Sequence, residues 1–372
     1  MAAEVKAAVF ERAQEPLAIR TYPTPDAEPD GAVVDLVSSG ICGTDVHIWE
    51  GAIPFVGPLI LGHEFLGRVR ALGPCVREPV AKDCMGQPVK VGDLVAVNVI
   101  EPCGACRLCQ TGGAASCLNL MDSMTYTRSP DEPPHLFGGY AEMTVCPTRY
   151  LHRIPDGLPP DIAATFLCAG PTVVRGIVYA GGIGPDDHVV VQGSGPVGLF
   201  AALYASKSGA ASVTLIGSSS RPLRLELASL LGAGQVLDIR TTSPEERARV
   251  IKDGTGGIGA DIVIEGSGSP DAVPEGLNLL RPRGRYVLAG QYSDRGAVPL
   301  PVHQITFSAL QLLGSAQFTA EDRETYLRFM LGVPEAWDAI RRAITHRVTV
   351  EQSDQGLRAV RLGEAIKALL VP

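Results

Sequence analysis

Four cysteines crowd into one short stretch of this chain: Cys103, Cys106, Cys109 and Cys117, in EPCGACRLCQTGGAASCLN. The spacing is C-x2-C-x2-C-x7-C, close enough for four thiolates to wrap one tetrahedral Zn2+. A shell closed by four sulfurs leaves no position for a substrate, so such a site is structural. It would fix a lobe with too few apolar residues to pack itself. An iron–sulfur cluster also uses four cysteines, but no Cys-Pro follows here. Free or oxidised thiols in a loop are the plain alternative. A second set is scattered. Cys42, Asp45 and His47 lie in GICGTDVHIW, His63 and Glu64 in LGHEFLG, and Cys168 in FLCAGPTV. A catalytic zinc needs protein ligands and one open position, which residues of these types supply. Taken singly each is weak, since a lone cysteine is usually core and a lone histidine a satisfied polar residue. Cys75, Cys84 and Cys146 have no ligand-like neighbours and read as plain thiols.

A third chemistry is phosphate binding. The segment DHVVVQGSGPVGLFAALYASKSG carries Gly193, Gly195 and Gly198 as G-x-G-x-x-G, with Pro196 and Val197 inside it. It follows a strand-like run and opens a helix-like one, the context that gives this motif weight. Gly193 would allow the tight turn, Gly195 the approach of a pyrophosphate, and Gly198 close helix–strand packing. The helix N-terminus would stabilise the phosphates. A flexible turn without ligand is the alternative. NAD binding usually places Asp or Glu at the next strand end, about 20 residues on. Here that region reads LIGSSSRPLRLELA. The hydroxyls of Ser218, Ser219 and Ser220 and the guanidinium groups of Arg221 and Arg224 suit a 2′-phosphate better than a bare hydroxyl. NADP(H) is therefore favoured. The alternative is NAD held by backbone contacts, with both arginines merely solvated.

Elements must position these residues. Up to about Tyr150 the runs AVVDLVSSGI, FLGRVRALG, DLVAVNVI and GYAEMTV alternate with Gly, Pro and Asp, suggesting a β barrel or sandwich. The polar segment CVREPVAKDCMGQPVKVG reads as a surface loop. From about Pro159, strand-like HVVVQ, SVTLIG, QVLDI, DIVIEG and RYVLAG alternate with helix-like VGLFAALYASKSG, RPLRLELASLLG and PDAVPEGLNLL. That alternation implies a parallel sheet covered by helices on both faces. The chain ends on helix-like GEAIKALL. At 372 residues it exceeds what one core usually serves, so two domains are expected. A net charge of −8 gives no support for binding a phosphate backbone, so nucleic acid is not an expected partner. The N-terminus has no secretory apolar core, and no run reaches the roughly 18 apolar residues of a membrane span. A cytoplasmic protein is expected, in which clustered cysteines mean metal rather than disulfides.

GICGTDVHIWEG followed by PLILGHEFLG resembles the zinc signature of the medium-chain zinc alcohol dehydrogenases, and LCAGPTV resembles that family's third-ligand segment. The four-cysteine lobe falls between them and the glycine fingerprint follows, so the resemblance covers essentially the whole chain. It implies an α/β protein: a GroES-like β-rich catalytic domain over 1–158 and 309–372, and a doubly wound Rossmann domain over 159–308. The active site would lie in the cleft between them. It implies Cys42, His63 and Cys168 on a catalytic zinc, with Glu64 beside the metal as alternative ligand. Asp45 would orient a ligand imidazole. Thr44 would hydrogen-bond the substrate oxygen, and His47 would pass the released proton to water. Thr172 would pack near the nicotinamide, and Ser219 would occupy the acidic position of the register. A homodimer or homotetramer is implied. The expected reaction is reversible hydride transfer between an alcohol and NAD(P)+, giving an aldehyde or ketone. A zinc-independent quinone or enone reductase of the same superfamily and a non-enzymatic zinc-binding protein are the alternatives. Trp49, Phe55, Met124, Phe137 and Tyr140 are candidate pocket walls, or ordinary core. Glu265 receives no role, and the substrate is not legible.

Overall fold

The structure is a computed structural model that describes residues 4–76, 81–120, 124–125 and 128–372. The chain forms two units. The first comprises Met1–Cys168, Thr319–Pro334 and Ile344–Pro372, and the second Ala169–Phe318 and Glu335–Ala343. The fold class is α/β, with a β-rich first unit and a second unit built on a parallel sheet covered by helices, as expected.

In the second unit the apolar run His188–Gln192 is the first of six strands, followed by Ser212–Gly217, Gln235–Asp238, Ala260–Glu265, Leu280–Leu288 and Gln311–Gly314. They lie in the order third, second, first, fourth, fifth, sixth, and every pairing is parallel. Val189, Val190 and Val191 are buried, as a central parallel strand covered on both faces requires. The order reverses between the first and fourth strands. Ligands bind at such a switch point, beyond the carboxyl ends of the strands.

In the first unit the long strand Gly31–Ile41 is the axis of a seven-stranded sheet. It pairs antiparallel with Glu64–Leu72, Met143–Pro147 and Lys367–Leu370. The strand Glu4–Phe10 joins Ala18–Pro23 and Leu59–Ile60 in a smaller sheet. Val5, Phe10, Val33, Ile41, Phe65 and Val95 share one apolar core, which fixes the strand ends that carry the site.

Several expectations need correction. GEAIKALL does not end the chain as a helix. Lys367–Leu370 is a fully buried strand, antiparallel to Ser39–Ile41 and parallel to Ile344–Val348. Backbone groups buried at the sheet centre must pair, and that demand outweighs the modest helix preference of Ala, Leu and Lys. The segment read as a surface loop after Cys75 is partly core. Ala81, Asp83 and Val89 are buried, because Asp83 accepts from Met85 N, Gln87 N and Arg153 N and ties the turn inward. Its residues 77–80 lie outside the described residues. Against the expected boundaries at 158/159 and 308/309, the first unit runs on to Cys168, since Tyr326 donates to the Ala163 carbonyl at 2.8 Å. Residues 335–343 fall in the second unit, where Arg342 pairs with Glu226 at 2.6 Å.

Candidate active site

Cys42 stands where the strand Gly31–Ile41 gives way to the helix Gly43–Glu50, which a left-handed Gly51 ends. His63 and Glu64 stand at the start of the neighbouring strand, and Gly40 pairs with Glu64. Cys168 is brought in from beyond the helix Pro160–Thr165. These segments bring one donor atom each from Cys42, His63, Glu64 and Cys168 to within 4.8 Å of one another. Two soft sulfurs, an imidazole and a carboxylate form a donor set that zinc accepts.

Asp45 organises this cluster. One carboxylate oxygen accepts from Cys42 N at 2.8 Å. The other accepts from Gly62 N at 3.3 Å and lies 3.4 Å from His63 Nδ1. A carboxylate on one ring nitrogen fixes the imidazole's tautomer and orientation. Thr44 and His47 share the helix that follows Cys42, three residues apart and so on one face. The Thr44 hydroxyl lies 3.7 Å from the Cys42 sulfur. The two hydrogen-bonded thiols differ in acidity. Hydrogen bonding from Cys168 holds Cys42 well below the ordinary thiol range, and its bond to Cys42, with burial, pushes Cys168 well above it. Burial opposes charging His63, but Asp45 and Cys42 outweigh it and raise its pKa.

Sequence reasoning missed the partner of Glu64. Lys367 Nζ lies 2.5 Å from Glu64 Oε2, and both side chains are buried. Leu369 pairs with Gly40, so Lys367 shares Gly40's face of the sheet, as does Glu64. A Cβ at Gly40 would collide with both charged ends; only a bare backbone lets them meet. Burial disfavours the ammonium, but Glu64 and Cys42 hold the Lys367 pKa above its ordinary value. Removing one member of such a pair costs about 3–5 kcal/mol. The available signal was a lone lysine within the apolar run AIKALLV.

The four-cysteine lobe sits elsewhere in the same unit. Cys106 Sγ lies 3.5 Å from Cys109 Sγ and 3.9 Å from Cys117 Sγ. Zinc–sulfur bonds of about 2.3 Å in a tetrahedron imply sulfur–sulfur edges of about 3.8 Å. Cys103 N and Asn119 N donate to Cys117 Sγ, and Cys106 N to Cys103 Sγ. Backbone N–H groups of Cys109 and Leu118 lower Cys106 to about 6, whereas burial raises Cys109 to about 12.

In the second unit, Gly193 follows the first strand at φ +105°, a conformation that side chains rarely adopt. A Cβ at Gly198 would overlap the Gly193 carbonyl oxygen. At Gly195, which caps the helix Pro196–Lys207, a Cβ would meet only Arg224 Nη1, at 3.7 Å. The helix start is therefore open where a phosphate would approach, and Pro196 and Val197 form its first turn. Ser218 accepts from Ser220 N at 3.3 Å and donates to its hydroxyl at 3.0 Å. Ser219 N donates to Asp238 Oδ1 at 3.0 Å, so the next strand supplies a carboxylate that sequence reasoning missed. Hydrogen bonds from Ser219 and Arg240 hold Asp238 below the ordinary carboxylate range. Arg221 caps the following helix, and Arg224 lies in its first turn. Thr172, in the helix Ala169–Tyr179, is buried and accepts from Ser315 Oγ at 3.2 Å through its carbonyl. Glu265, which received no role, accepts from Ser267 N, Ser267 Oγ and Gly268 N through Oε1 and shapes the loop beside Gly193.

The five aromatic and Met candidates are accounted for by packing. Met124 and Tyr140 belong to the first unit's core, and Trp49 and Phe55 pack on it. Phe137 is buried beneath the Arg128 guanidinium at 3.8 Å.

The chain is similar to known proteins along nearly its whole length. Residues 28–156 match the alcohol dehydrogenase GroES-like domain model, and residues 196–332 match the zinc-binding dehydrogenase model. A 5-exo-hydroxycamphor dehydrogenase of Pseudomonas putida is 36% identical over 95% of each chain. An alcohol dehydrogenase of Thermotoga maritima superposes with a TM-score of 0.88 at 30% identity over 100% of both chains. A chain of Sinorhizobium meliloti 1021, described as a zinc-binding dehydrogenase bound to NADP, gives a TM-score of 0.81 at 26% identity over 100% of both chains.

Proposed function

The chain belongs to the zinc-binding alcohol dehydrogenase family, whose members are oxidoreductases acting on alcohols, and from that premise we propose that it exchanges a hydride between a small-molecule alcohol and NADP+ at the Cys42–His63–Cys168 cluster. The convergence of those donors from three separate segments carries this reading. Zinc bound there would supply Lewis acidity, lowering the pKa of an alcohol that reaches it. Cys42, His63 and Cys168 would hold the ion, and Asp45 would keep the imidazole oriented. The alcohol gives up a hydride from its carbinol carbon and a proton from its oxygen. Thr44 takes the proton at its hydroxyl, and His47, one helical turn on, delivers it to solvent. Cys103, Cys106, Cys109 and Cys117 would hold a second zinc that stiffens their lobe.

Gly193, Gly195, Pro196, Val197 and Gly198 would bind the dinucleotide's phosphates, and Thr172 would pack by its nicotinamide. Ser218, Ser219, Arg221 and Arg224 favour the 2′-phosphate of NADP(H). Asp238 opposes this, being an ionised carboxylate one hydrogen bond from Ser219. Two guanidinium groups outweigh one carboxylate already engaged by backbone N–H groups. The test is a panel of primary, secondary, bicyclic and polyol alcohols assayed with NAD+ and NADP+ in parallel, beside zinc counting. We expect about two zinc per chain and a KM for NADP+ that rises at least tenfold in Arg221→Ala. Turnover without zinc, or an unmoved KM, contradicts the corresponding part.

A further inference from the structure

Glu64 poses a chemical difficulty for this site. Its carboxylate lies within 4.8 Å of the donor atoms of Cys42, His63 and Cys168. A cation held by those three would attract it, and a carboxylate that bound would fill the corner an alcohol needs. Something must hold Glu64 back. Resting on the reading above, we infer that Lys367 is the positioning residue that does so, tethering the Glu64 carboxylate so that a metal held by two thiolates and an imidazole keeps one corner open.

Three observations carry this. Lys367 Nζ and Glu64 Oε2 are 2.5 Å apart with both side chains buried, so water neither screens nor competes for the pair. The contact spans 303 residues of sequence and needs three adjacent strands in register. Gly40, the residue between them, has no room for a Cβ. The charges also match: two thiolates cancel a divalent ion, and Lys367 cancels Glu64. Without the ammonium, the carboxylate would lose its hydrogen-bonded counter-charge, and the ion would attract it alongside the more general field of the buried Arg323 guanidinium.

The experiment uses the full chain loaded with zinc, or with cobalt as a spectroscopic probe. Cys42→Ser protein, in which only the four-sulfur site remains, serves as the subtraction reference. Wild type that holds no more metal than Cys42→Ser overturns the underlying reading of the cluster and leaves Lys367 without an ion to guard. Given that extra metal, Lys367→Met is expected to lose it to a chelator at least tenfold more slowly than wild type. Its cobalt difference spectrum should change as an oxygen ligand joins. Lys367→Arg should keep the wild-type values. The double variant Glu64→Gln with Lys367→Met should return the metal-loss rate to within about threefold of wild type. If Lys367→Met does not fold, Lys367→Gln, polar but uncharged and one atom too short to reach Glu64 as the ammonium does, decides by the same two readouts. Unchanged metal loss and spectrum in the folded uncharged variant overturn the inference. So does slow loss that persists once Glu64 is gone.

Discussion

The first unit carries two sulfur-rich clusters that differ in how they are made. Cys103, Cys106, Cys109 and Cys117 come from one loop, expose Cys103, and have Asn119 and backbone N–H groups as partners. Cys42, His63, Glu64 and Cys168 come from three segments and are completed by Asp45 and Lys367. The first is a local knot of four like donors, a set that would close a metal's shell. The second mixes donor types and sets charged partners behind them. Like donors close in sequence need only a short chain to meet, whereas the mixed set needs distant segments in register to bring its donors and their charged partners together.

The largest expected effect separates the two. Cys42→Ser should reduce turnover on the order of 10^3-fold, since Lewis-acid stabilisation is worth several kcal/mol and each 1.36 kcal/mol is tenfold. Metal content should fall from about two to about one per chain, with dinucleotide binding retained. Normal turnover in that variant would remove Cys42 from the chemistry. A smaller effect is expected at the other cluster. Cys106→Ser should lower the melting temperature by roughly 3 °C, the shift that about 2 kcal/mol produces at this size, while turnover stays within about tenfold. Loss of turnover equal to that of Cys42→Ser would erase the distinction between the clusters. The smallest effect concerns metal-free protein. With a pKa of about 6, Cys106 is a thiolate at pH 7 and protonates as the pH falls through 6, whereas Cys109, at about 12, stays a thiol. Peptide-resolved alkylation at pH 7 should label Cys106 well before Cys109, with the lead shrinking below pH 6. Equal labelling of both would contradict the role of the N–H groups around Cys106.

The difference between the clusters also marks how far the residues alone could be read. The four cysteines were legible because ligands close in sequence need no knowledge of the fold to meet. The strand–turn–helix glycines were legible for the same reason, and Gly198 meets Gly193 within one turn. Cys42, His63 and Cys168 were individually weak and gained meaning only through resemblance to a family signature.

Sequence by itself determined the local chemistry: the donor types, the glycine spacing, and the shift from short β runs to alternating strand and helix. Tertiary structure alone decided which charges stand behind those donors. Asp238 reaches Ser219 because their strands are parallel neighbours, and Lys367 reaches Glu64 because a segment with helix-forming residues is held as a strand beside Gly40. Both depend on pairing between distant segments. Backbone hydrogen bonds and burial fix that pairing, and neither leaves a mark within a few residues of the groups it joins.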